Sequence, residues 1–81
     1  MINLTNAPDG KPLKVIQFLG GMGVRRKLNS LGLHPGDIIE LDSRSIFGGP
    51  ILIRSLTSNT TVALGRGIAR KIIVELVSEK K

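Results

Sequence analysis

An 81-residue chain without a single cysteine must hold its fold together by packing alone. A chain of this length buries roughly 60% of the surface it exposes when unfolded, which is enough for one small core and one domain. Domains this small often lean on disulfides or a bound metal, and here a disulfide scaffold and a thiolate metal site are both excluded. A cysteine-free sequence fits a reducing cytoplasm. The 41% hydrophobic fraction and a mean hydropathy of +0.15 supply the apolar material for a packed fold rather than a disordered segment. The opening residues, Met1 to Asn6, have neither a basic region nor an apolar stretch of the kind that directs secretion. Purely apolar runs stay at a few residues, far below the ~20 that span a bilayer. The reading is therefore a soluble, cytoplasmic protein that meets a membrane only through a partner.

Twelve basic and six acidic residues give a net charge of +6. Every charge from Lys11 to Lys27 is positive (Lys11, Lys14, Arg25, Arg26, Lys27), as is every charge from Arg44 to Lys71 (Arg44, Arg54, Arg66, Arg70, Lys71). Asp37, Glu40 and Asp42 lie between these two stretches. Such a distribution favours anionic partners: nucleic acid, anionic lipid, a nucleotide or an acidic protein face.

The pattern of apolar residues predicts mainly β structure. Leu13–Leu19 reads as a strand with Leu13, Val15 and Gln17 on one face and Lys14, Ile16 and Phe18 on the other. After Gly20-Gly21-Met22-Gly23, the spacing of Val24, Leu28 and Leu31 at i, i+4 and i+7 predicts a helix. Gly32 stands where a helix ends in a left-handed residue, and Pro35-Gly36 forms a turn that stops the helix from resuming. Asp37–Ser43 follows as a strand with Ile39 and Leu41 inward and Glu40 and Asp42 outward. Phe47-Gly48-Gly49-Pro50 is a turn, Ile51–Leu56 and Thr60–Leu64 are strands, and Gly65–Lys71 is a short helical turn before a last strand, Ile72–Val77. Five short strands, one helix after the first and one helical turn before the last describe a small, partly open SH3-like barrel.

Catalysis is not expected. The lone His34 has no cysteine to pair with, and alternation puts Glu40 and Asp42 on a solvated strand face. His34 and Asp37 are two weak metal-ligand candidates, short of the donor set a closed site needs. No resident cofactor is implied beyond weak binding of a divalent ion such as iron. Gly20-Gly21-Met22-Gly23 before a helix resembles a phosphate-cradling loop, but lacks the Gly-Lys-Ser/Thr ending and a nucleotide-binding strand–helix–strand unit, and reads as a turn. A basic barrel that binds nucleic acid is the alternative function. The scarcity of aromatics (Phe18 and Phe47 only) and the single long helix argue against it, so no nucleic-acid partner is expected.

Three segments carry a family resemblance. Leu31-Gly32-Leu33-His34-Pro35-Gly36 runs into Asp37-Ile38-Ile39-Glu40-Leu41. Phe47-Gly48-Gly49-Pro50-Ile51 follows, then Val62-Ala63-Leu64-Gly65-Arg66-Gly67-Ile68-Ala69. In this order and spacing they resemble the FeoA domain of ferrous iron transport protein A, over roughly residues 13–77. The resemblance implies one SH3-like domain across residues 1–81, with no enzymatic activity. It further implies a cytosolic accessory or regulatory role in ferrous iron uptake beside FeoB, the membrane transporter that carries a cytosolic GTPase domain. The same domain ends iron-dependent repressors of the diphtheria-toxin-repressor type, but this chain is too short to hold their DNA-binding part. The family's shared glycines correspond to Gly32, Gly36, Gly49 and Gly65, which read as structural. The expected partner-binding surface is the basic helix face of Arg25, Arg26 and Lys27, with Met22 as an apolar anchor.

Overall fold

A computed structural model describes residues 1–42 and 49–77 of the chain. Nine elements follow one another: β1 (Ile2–Asn3), a 3-10 turn (Leu4–Asn6), β2 (Pro12–Phe18), α1 (Met22–Ser30), β3 (Ile38–Leu41), β4 (Ile51–Ser55), β5 (Thr60–Leu64), α2 (Arg66–Ala69) and β6 (Ile72–Leu76). The strands form one antiparallel sheet in the order β1-β6-β2-β3-β4-β5, so its edges, β1 and β5, do not meet.

β2 lies inside the sheet, between β3 and β6. Its register with β6 shifts between Val15 and Gln17: Val15 faces Val74, yet Gln17 faces Ile73. This bulge corrects the face assignment made from simple alternation. An extra residue in one strand reverses the in–out phase beyond it. Leu13, Val15 and Phe18 are accordingly all buried, and Gln17, expected beside Leu13 and Val15, is exposed.

α1 ends as its sequence predicts. Gly32 has φ +87°, its N–H donates to the Asn29 carbonyl at 2.9 Å, and the Leu33 N–H donates to the Leu28 carbonyl at 3.0 Å. These are the two bonds of a Schellman cap, and the apolar pair that accompanies it, Leu28 and Leu33, is fully buried. The chain then reverses through His34-Pro35-Gly36-Asp37. The Asp37 N–H donates to the His34 carbonyl at 3.1 Å and Gly36 has φ +97°, as a type II turn with proline second and glycine third requires.

β3 is shorter than expected: its assigned pairing ends at Leu41, and Ser43 lies outside the described residues. Ile39 and Leu41 point inward as alternation predicts. β4 and β5 form a hairpin whose turn uses Asn59 at φ +59°. The buried Ser55 hydroxyl accepts the Ser58 N–H at 3.2 Å, so this polar side chain inside the core is satisfied.

The sixth strand was not anticipated. Ile2 and Asn3 pair with Val74 and Ile73, and the next residue, Leu4, is 0% exposed. The core thus begins well before residue 13 and includes Leu4, Leu13, Leu28, Leu33, Ile39, Ile53, Leu64, Ile72 and Val74. Each such side chain contributes about 1.5–3 kcal/mol by leaving water.

Candidate docking surface

The sheet and its core present α1 outward. Leu28 is fully buried and Val24 and Leu31 pack partly against the core, so the rest of the helix is solvent-facing. The expected partner-binding residues all lie there: Arg25, Arg26 and Lys27 are exposed, and Met22, at the first position of the helix, is 69% exposed. Three consecutive cations on a helix spread over more than half a turn, since successive residues are 100° apart. Among the described residues, none of the three joins an ion pair. Arg25 also lines a shallow cleft of about 310 Å³, together with Gln17, Phe18, Asn29 and Pro35.

The glycine run before the helix serves backbone geometry. Gly20 has φ +97°, and a Cβ there would approach the Val24 side chain to 3.2 Å. Gly21 caps α1 with an extended backbone and offers no side-chain bond.

The weak metal candidates lie in the turn after α1. His34 Nδ1 is 3.7 Å from Asp37 Oδ2, and that same oxygen accepts the His34 backbone N–H at 2.9 Å. The carboxylate therefore tightens the turn. Among the described residues, no group of three or more histidines and carboxylates is placed to hold a metal ion. Glu40 faces Arg54 across the β3–β4 ladder, 3.8 Å away and partly exposed, which is an ordinary cross-strand charge pair.

Of the four glycines expected to be structural, Gly32, Gly36 and Gly49 have positive φ. Gly65 caps α2 with φ −64° and has open space where a side chain would stand. Glycine is tolerated at a helix start but not demanded there.

Leu19 is the residue that sequence reasoning missed. It is 44% exposed, three residues before Met22 in the chain, and its N–H donates to the Lys71 carbonyl at 2.7 Å. Alternation could not place it, because the bulge had already shifted the phase of β2.

Among the described residues, a single open antiparallel sheet with one long helix and one short one, and an exposed cationic helix face, defines a small SH3-like β domain. The chain belongs to the FeoA family, since the FeoA domain model matches residues 2–76. A protein of Methanocaldococcus jannaschii assigned as an Fe(2+) transport protein A is 33% identical over 75 residues, covering 93% of this chain and 87% of the relative. The crystal structure of an iron uptake regulatory protein (FeoA) superposes with a TM-score of 0.78 at 32% identity, covering 94% of this chain and 96% of that one. The solution structure of a FeoA-like protein from Clostridium acetobutylicum gives 0.79 at 28% identity, with coverage of 99% and 91%.

Proposed function

We propose that the protein is a non-enzymatic, cytosolic accessory of ferrous iron uptake that docks on the cytosolic GTPase-bearing part of a FeoB-type transporter. The observation that carries this reading is the exposed cationic face of α1, Arg25, Arg26 and Lys27, which joins no ion pair among the described residues, on the same helix as the exposed Met22. Charges left without intramolecular partners are free to steer an acidic surface into place, which raises the association rate and fixes orientation. An exposed methionine adds an adaptable apolar contact at low geometric cost. Family membership supports the link to iron uptake, as does the iron-transport assignment of the archaeal relative. Among the described residues no helix is long and apolar enough to cross a membrane, so a transport role for this chain would run through a partner.

The test is an amide NMR titration of labelled protein with the isolated cytosolic GTPase domain of the matching transporter, in GDP and in a GTP analogue. Saturable shifts should cluster on residues 22–30. The double variant Arg25→Glu/Arg26→Glu should keep the wild-type melting temperature and lose at least tenfold in affinity, about 1.4 kcal/mol. Unchanged affinity in that variant would remove α1 as the docking face. An absence of shifts at high partner concentration would remove the soluble domain as the target.

A further inference from the structure

A second surface feature extends the exposed face of α1: it shares Met22, Arg25 and Arg26 with the docking face and adds Leu19, Arg70 and Lys71. At one end of the sheet, where Phe18 of β2 pairs with Ile72 of β6, the chain turns through Leu19-Gly20-Gly21 into α1. Leu19 and Met22 are 44% and 69% exposed, two large apolar side chains three residues apart at this corner of the chain. The Cβ positions of Gly21 and Gly23 have no neighbouring atom within 4 Å, so both glycines leave open space beside Met22 in the chain.

Cations surround it. Arg25 and Arg26 stand three and four residues after Met22 and so flank it on the helix surface. Lys71 is tied to the corner by the bond from the Leu19 N–H to its carbonyl, and its side chain lies 3.5 Å from where a Gly20 Cβ would be. Arg70, next to it, is exposed as well. No acidic residue occurs in either contributing stretch, 10–36 or 43–74. Glu75 sits further along β6, opposite Lys14 rather than Phe18.

We propose that this corner is a peripheral membrane-binding surface: Leu19 and Met22 enter the headgroup region of an anionic bilayer while Arg25, Arg26, Arg70 and Lys71 lie against its charge. Two observations favour a bilayer over a protein as occupant. Leu19 and Met22 are both exposed where the sheet leads into α1, and a fluid lipid surface, unlike a folded partner, needs no matching cavity. The charged residues that the two contributing stretches supply are all basic, as an anionic surface attracts and a patterned protein face does not require. Contact with lipid would hold the domain at the membrane and reduce its search for a membrane-embedded transporter to two dimensions.

The experiment is co-sedimentation of the purified protein with vesicles of phosphatidylcholine alone and of phosphatidylcholine mixed with phosphatidylglycerol. No transporter is present, so the result does not depend on the docking reading above, whose titration contains no lipid. Binding should require the anionic lipid and weaken strongly between about 0.05 M and about 1 M salt, where the screening length falls severalfold. Each basic residue at such a surface is worth roughly fivefold in partitioning, so Arg70→Glu/Lys71→Glu should bind about 25-fold more weakly or worse. Leu19→Ser/Met22→Ser should also lose binding, with an unchanged melting temperature because both side chains are exposed. The control is Lys11→Glu/Lys14→Glu, an equal change in net charge at the other end of β2, which should bind nearly as wild type. Equal binding to both vesicle types, no binding to the anionic ones, or equal loss in the control and the corner variants would each overturn the proposal.

Discussion

At position 32 the backbone takes a conformation that side chains other than glycine adopt only under strain. The φ of +87° lets two N–H groups, those of Gly32 and Leu33, reach back to the carbonyls of Asn29 and Leu28. A valine would carry a branched Cβ into the left-handed region, where sterics oppose it even though no other group lies within 4 Å. Gly32→Val should therefore destabilise the domain by about 1 kcal/mol or more. In a chain of this size that lowers the melting temperature by roughly 4–8 °C. A melting temperature equal to wild type would mean that the cap does not hold α1 in solution. The turn that follows depends on a side chain as well as on glycine, because Asp37 accepts the His34 N–H at 2.9 Å. That bond gives the Asp37 carboxylate a structural role in the turn, whatever side chain stands at position 34.

Among the elements, those with a strong periodic pattern were legible and those without one were not. α1 was readable from Val24, Leu28 and Leu31, and its end from Gly32, because packing and cap chemistry point to the same register. β5 was placed at Thr60–Leu64 as found, since Thr57-Ser58-Asn59 and Gly65 bound it on both sides. β2 was found but its faces were misread beyond Val15, since a bulge is decided by pairing with β6, a partner more than fifty residues away. β1 has only two residues, too few for any alternation to show, and no element was read from the sequence before Leu13. In the folded chain Leu4 is 0% exposed and its 3-10 turn packs against β6 and α2, so it closes the core at one end. Leu4→Ala should accordingly cost about 2–5 kcal/mol, as for other buried leucines, and be visible as a lower denaturant midpoint. A loss below about 0.5 kcal/mol would show that the N-terminal segment is peripheral and that the core begins at β2, as the sequence alone suggests.

For the molecule as a whole, the net charge of +6 on 81 residues has to be reconciled with a family tied to iron uptake rather than to nucleic acid. Charge alone gives any such protein some affinity for a polyanion, so binding to DNA or RNA is informative only through its salt dependence and its sequence preference. The geometry argues against a dedicated site. Phe18 is 5% exposed and belongs to the core, so it offers no face on which a base can stack, and Phe47 lies outside the described residues. What remains is the cationic surface, a backbone contact that reads no bases. If the three α1 cations each neutralise one phosphate of a single strand, log affinity should fall against log salt with a slope of about −2. Fluorescence titrations with single-stranded oligonucleotides of different composition, repeated across a salt series, should give that shallow slope and the same affinity for every sequence. A much steeper slope, or a preference for one sequence that persists at high salt, would mean that bases are being read and would make nucleic acid a true partner. The shallow outcome would leave the same cations available to an acidic protein face and to anionic lipid, the two surfaces a transporter presents at a membrane.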